Sequence, residues 1–246
     1  MRALLVTSRV TFVPDNYDRF VLAMAACPQI AGLVVLDNAS AAVRWKALGA
    51  IAQGARRLGR DLWRNSFWRA SEARRRAAYA GAGKGFWVLP SINEPAALQV
   101  VTEAKVDLLV NARTRYIYKP EVLGAPRLGC INVHHGLLPD QRGVMCDLWA
   151  LSLGEPAGFS IHGMTRRIDD GEVLRVVSVS HGERDFQAHL LASAGREAQE
   201  LGALLGEIER ADGVRGQPNV KSERTVYRRN PTWAQIRQMR GRGMTL

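Results

Sequence analysis

Apolar positions along this chain come in two spacings that trade places. Ala3 to Thr7 and Ile30 to Leu36 are short unbroken apolar runs, the second ending at Asp37-Asn38, and both predict buried strands. Between them, Asn16 to Ala26 repeats its apolar residues at helical intervals. The exchange continues with a third strand at Phe86 to Pro90, a helix at Glu94 to Ala104 and a fourth strand at Val106 to Val110. Lys119-Pro-Glu-Val-Leu opens a further helix with Pro in its first turn. Leu128 to Val133 is another buried strand that ends on polar residues followed by Gly136 and Pro139, the mark of a strand-to-loop transition. Gly158-Phe-Ser-Ile-His162 reads as a short strand and Ile168-Asp169-Asp170-Gly171 as a turn. Arg175 to Ser180 is a last strand, and Phe186 to Ala211 a long helix rich in Ala, Leu and Glu. Strand–helix–strand units predict parallel, right-handed crossovers. The expected fold is α/β, a Rossmann-like parallel sheet with helices on both faces. Residues 1–182 would form the main domain and 183–246 a C-terminal helix and basic extension.

Residues 42–85 break the alternation. They hold Arg44, Lys46, Arg56, Arg57, Arg60, Arg64, Arg69, Arg74, Arg75 and Arg76, with Trp45, Trp63, Phe67 and Trp68 among them. Trp63 and Phe67 are four apart while Arg57, Arg60 and Arg64 share a neighbouring face, which predicts an amphipathic basic helix. Four readings stay open for it: a surface helix with solvated arginines, a basic face drawing in a phosphorylated substrate, a membrane-surface contact, or nucleic acid.

Composition adds limits. Hydrophobic residues make up 47% and charged residues 23%, as in ordinary globular proteins, and no apolar run nears the length of a membrane span. The opening Met1-Arg-Ala-Leu-Leu-Val is too short for a signal peptide and reads as a strand. Cys27, Cys130 and Cys146 form no motif, which fits reduced thiols of a cytoplasmic protein. The net charge of +11 points to an acidic partner without naming it. The first turn, Thr7-Ser8-Arg9-Val10-Thr11, lacks glycine, so no phosphate loop or dinucleotide fingerprint is present there.

Candidate chemistry gathers between Gly129 and Gly171, which contain three of the five histidines. Asn132 and His134 are two apart on a strand, so an amide donor and an acid/base group share one face. The Asp169 turn brings a carboxylate. Zinc held by His134, His135 and His162 is disfavoured because adjacent strand residues face opposite sides. A Ser160 triad lacks the strained Gly-x-Ser-x-Gly turn.

Two segments, with their internal spacing, resemble the folate-dependent formyltransferase family. The first is Asn132-x-His134 followed by Leu137-Leu138-Pro139 and Arg142-Gly143; the second is Gly158-x-Ser160-x-His162 followed by Asp169-x-Gly171. The resemblance is firm from Val106 to Leu174, and the layout is most similar to the sugar N-formyltransferases. It implies catalytic roles for Asn132, His134 and Asp169, with 10-formyltetrahydrofolate as formyl donor and no metal. It also implies donor contacts from Arg115, Tyr116, Ile117, His162 and Ile168, and acceptor contacts from His135, Gly136 and Arg142. His135-Gly136 stands where many relatives have Pro-Ser, which leaves the acceptor open. The expected function is formyl transfer to the primary amine of a small-molecule acceptor, anionic and of the kind of a nucleotide-linked amino sugar, with no tRNA-binding domain. A homodimer and membrane contact through 42–85 stay open. Two other functions also stay open: a hydrolase releasing formate from the same donor, and a non-catalytic basic module for nucleic acid or membrane.

Overall fold

The computed structural model describes residues 1–246. The chain runs β1 (Ala3–Ser8), a 3-10 turn (Pro14–Tyr17), α1 (Asp18–Ala25), β2 (Ile30–Leu36), α2 (Ala41–Ala52), α3 (Arg56–Asn65), α4 (Arg69–Gly81) and β3 (Gly85–Leu89). It continues through α5 (Pro95–Glu103), β4 (Leu108–Ala112), α6 (Pro120–Leu123), β5 (Cys130–His134), β6 (Gln141–Gly143), α7 (Cys146–Leu153) and β7 (Pro156–Gly163). The last elements are β8 (Val173–His181), α8 (Phe186–Ala211), β9 (Val226–Arg228) and α9 (Trp233–Gly241).

Seven strands form one sheet in the order β3-β2-β1-β4-β5-β7-β8. The chain steps outward from β1 to β3, then returns to β4 on the other side of β1. That reversal opens a crevice beyond the carboxyl ends of β1 and β4, where open α/β sheets take their ligands. A 38-residue apolar cluster includes side chains of α1 and α8 on one face; a 13-residue cluster includes those of α5 on the other. Helices thus cover both faces, as expected. No helix is long and apolar enough to cross a membrane.

Several expectations need correction. β7 and β8 are antiparallel, so the sheet is parallel only from β3 through β5. The connections explain it: β5 reaches β7 by a short loop and helix that reverse direction, with no crossover. β4 begins at Leu108, because Val106 donates its N–H to Val101 and still closes α5. The basic insertion 42–85 folds as three helices, α2, α3 and α4, and the amphipathic basic stretch around Arg57 to Arg64 is α3. The insertion's arginines are not all solvated. Arg75 is fully buried, with Nε 2.7 Å from Asp18 Oδ1, while Arg74 Nη2 sits 2.6 Å from Asp18 Oδ2. A buried guanidinium persists only where such partners replace water. Trp63 and Phe67 do meet, edge to face at 5.6 Å, but Phe67 is half exposed.

The C-terminal residues return to the body of the fold. α8 starts at Asp185, whose side chain accepts from the N–H groups of Gln187 and Ala188. β9 pairs with β6, and the Leu246 carbonyl accepts from Arg57 N–H.

Candidate functional site

β5 and β7 pair so that Asn132 lies opposite His162 and His134 opposite Ser160. Directly opposed residues share a face, so sheet register alone puts one amide and two imidazoles side by side. Asn132 Nδ2 is 3.1 Å from His162 Nε2, and His162 Nδ1 is 2.7 Å from the Gly163 carbonyl. A carbonyl only accepts, so the His162 proton is on Nδ1 and its Nε2 accepts from Asn132. Burial, and then the neighbouring His134 ring, push the His162 pKa down to about 4. Neutral His162 is therefore an orienting acceptor.

The other end of the Asn132 amide is held as firmly. Its Oδ1 accepts from Asn111 Nδ2 at 2.7 Å, and Asn111 Oδ1 accepts from Thr114 at 2.6 Å and Tyr118 at 3.1 Å. This chain fixes which way the Asn132 amide faces and leaves one of its N–H groups uncommitted.

His134 Nε2 donates to the Gln141 carbonyl at 2.8 Å, which leaves Nδ1 3.5 Å from Asp169 Oδ1. An N–H for a developing oxyanion thus exists on Nδ1 alone, and only in the imidazolium. Asp169 Oδ1 is also 3.7 Å from His162 Nε2, and Oδ2 accepts from Gly143 N–H at 3.0 Å. Asp169 sits at φ 53°, a left-handed conformation that Asp tolerates better than most residues. All three residues line one cavity of about 550 Å³.

The remaining expected residues divide. Arg115, Tyr116, Ile117, His162 and Ile168 line the cavity, with Ile117 and Ile168 largely exposed at its mouth. Tyr116 is tethered through its hydroxyl to the Pro90 carbonyl at 2.7 Å. His135 also lines the cavity, since β5 ends at His134 and alternation stops there. No group of three side chains converges to hold a metal ion.

Gly136 and Arg142 are corrections, for neither lines the cavity. A Cβ at Gly136 would lie 2.6 Å from the Gln141 carbonyl oxygen and 2.7 Å from His134 Nε2, so the position is bare because the loop folds against the reactive imidazole. Arg142 is fully buried and donates to the carbonyls of Pro139, Asp169 and Asn219. It clamps the turn that carries Asp169.

Sequence reading missed Asn111, Asn219, Glu197 and Asp147. Asn111 had a legible signal, a polar residue closing an apolar strand, and it pairs in register with Asn132. Glu197 interrupts the stripe Leu190, Ala194, Leu201 and Leu204 on α8; it is fully buried, hydrogen-bonded to Tyr17 and Ser193, and burial raises its pKa. Asn219 lies far along the chain and carries no local signal.

The formyl transferase family model matches residues 75–200, just over half of the chain. The methionyl-tRNA formyltransferase of Rhodopirellula baltica is 36% identical over 135 residues, 52% of this chain and 40% of that protein. That of Bacillus cytotoxicus is 37% identical over 108 residues, 42% of this chain and 34% of that protein. The chain thus matches less than half the length of these curated relatives. Among solved structures, a phosphoribosylglycinamide formyltransferase from Anaplasma phagocytophilum aligns at TM-score 0.57 and 16% identity, over 93% of this chain and 99% of that one. A sugar N-formyltransferase from Shewanella sp. FDAARGOS_354 aligns at TM-score 0.53 and 17% identity, over 93% and 76%. These two share the fold. The expected partner, a small-molecule acceptor with no tRNA-binding part, is overturned by the curated relatives, which are named for methionyl-tRNA. With the family model covering residues 75–200 and the same fold in the solved neighbours, the chain belongs to the formyl transferase family.

Proposed function

We propose that this protein moves the formyl group of 10-formyltetrahydrofolate onto the primary amine of an aminoacyl-tRNA. The observation that carries the transfer is the convergence of Asn132, His134 and Asp169 on one cavity. The acceptor class rests on the curated relatives and on the basic rim, where Lys46, Arg115 and Arg166 line the cavity mouth and have no carboxylate within ion-pair distance.

The donor is a co-substrate that already holds an activated amide. The acceptor nitrogen attacks the formyl carbon, a C–N bond forms, and negative charge develops on the formyl oxygen. The uncommitted Asn132 N–H and the Nδ1–H of a His134 imidazolium stabilise that charge, with Asp169 holding the imidazolium in place. The amine must shed one proton and the departing folate N10 must gain one. Asp169, beside both imidazoles, takes the first and returns it as the C–N10 bond breaks. One formamide and one tetrahydrofolate result, with no net proton change.

The test is incubation of the purified protein with 10-formyltetrahydrofolate and methionyl-tRNA. Tetrahydrofolate is followed by absorbance and formylmethionine by mass. Formate released without acceptor indicates hydrolysis, and no turnover under either condition removes the proposal.

A further inference from the structure

β6 is three residues long, and both members of the reactive pair are held by it. The Gln141 carbonyl accepts from His134 Nε2 at 2.8 Å, and Gly143 N–H donates to Asp169 Oδ2 at 3.0 Å. β6 lies outside the main sheet and pairs with β9 alone. Val226 N–H donates to the Asp140 carbonyl at 2.7 Å, and Val144 N–H to the Arg228 carbonyl at 3.0 Å. Gly143 sits at φ 98°, and a Cβ there would lie 2.1 Å from the Arg228 carbonyl oxygen. Only glycine admits β9 this close.

A second hold comes from Asn219. Its Nδ2 donates to the carbonyls of Asp169 and Gly171, each at 3.0 Å, and its Oδ1 accepts from Arg142 Nη2 at 2.7 Å. Carbonyls only accept and a guanidinium only donates, so the amide has one orientation and both of its N–H groups are used. Asp169 keeps its left-handed backbone, a conformation that persists where the surroundings over-determine it. The segment around Asn219 buries little apolar surface: Val220 is 69% exposed and Tyr227 53%. Apolar burial is the main source of stability, and this segment supplies polar contacts around His134 and Asp169 instead.

We propose that residues 217–228 are a strap that positions the reactive pair, with Asn219 the positioning residue for Asp169. Neither Asn219 nor β9 lines the cavity, so the strap acts through the pair and not on the substrates. It also lies beyond residues 75–200, which the family model matches.

Asn219→Ala and Asn219→Asp in the full-length protein test this. Asp keeps the shape and the acceptor for Arg142, but sets an oxygen against two carbonyl oxygens. The first readout is amide exchange followed by NMR. In both variants Gly143 N–H should exchange about 10-fold faster or more, while Val110, in the middle of β4, keeps its wild-type rate. The second is kcat per folded molecule for transfer from 10-formyltetrahydrofolate to methionyl-tRNA. It should fall about 10- to 100-fold as Asp169 is displaced, with smaller changes in KM for either substrate. This second measurement rests on the transfer reading above; the first does not. Faster Gly143 exchange in variants of a wild type that transfers nothing sustains the strap and removes the transfer reading. Unchanged Gly143 exchange overturns the strap, whatever the turnover. So does unchanged kcat per folded molecule where wild type is active. Exchange that rises equally at Gly143 and Val110 assigns Asn219 to stability alone and overturns the proposal too. Wild-type behaviour of Asn219→Asp beside an impaired Asn219→Ala would show that the two N–H groups hold nothing, with the same consequence.

Discussion

Asn132 and His162 face each other across two antiparallel strands, amide nitrogen to imidazole nitrogen at 3.1 Å. The imidazole accepts from the amide while Asn111 donates to the amide oxygen from the other side. An amide held at both ends presents its remaining N–H in one direction, which is what a preorganised oxyanion donor requires. Asn132→Ala should lower kcat by about 10²- to 10³-fold with little change in the unfolding midpoint. His162→Phe, which keeps the ring and removes the acceptor, should lower kcat less, by about 10-fold. Equal kcat for His162→Phe and wild type in stopped assays would show that the amide needs no such partner.

His162 also sets a response to acid. Its pKa is about 4 in the fold, below the ordinary value of 6.5. Between those values the unfolded chain binds a proton that the folded chain does not. The group therefore costs nothing above pH 6.5 and destabilises progressively as pH falls toward 4, by roughly 3 kcal/mol at the limit. His135, driven well below its ordinary value by burial and then by Arg113, acts in the same direction. Urea unfolding at pH 7, 6 and 5 should show falling stability in wild type and a shallower fall in His162→Phe. Parallel pH curves would assign the loss to other groups.

Arg142 links folding to the site. It holds the Asp169 turn through the backbone carbonyl and has no exposed surface. Arg142→Met, similar in length but without donors, should cost about 3 kcal/mol and lower kcat, because Asp169 loses its fixed position. Chemical denaturation and initial rates read both. A destabilised variant with unaltered kcat per folded molecule would break the link.

The rim cations predict salt dependence. Replacing Lys46, Arg115 and Arg166 by Ala should raise KM for tRNA and reduce the slope of log K against log salt by about one for each phosphate no longer neutralised. kcat should fall less than the affinity for tRNA does, since none of the three hydrogen-bonds or ion-pairs with Asn132, His134 or Asp169. An unchanged slope would place the tRNA elsewhere.

Much of the molecule was legible before folding. Short apolar runs and helical periodicity placed all seven strands of the main sheet and α8 within a few residues, since burying apolar surface is a local pattern. Asn132 and His134 were readable as partners because strand alternation alone puts them on one face. Gly136 and Arg142 were read as acceptor contacts and are packing residues. Motif spacing reports that a residue is required, and it does not separate touching a substrate from holding up the residue that does.

The sequence by itself determined the α/β layering, the strand that carries the amide and imidazole, and the turn that carries the carboxylate. Tertiary structure alone decided that β7 runs antiparallel to β5 and so sets His162 against Asn132. It alone buried Arg75 on Asp18, and set His135 and Asp147 with unmet hydrogen bonds beside one cavity. Local sequence fixes dihedral preference and face. Which distant groups lose water together is settled only when strands pair and layers close.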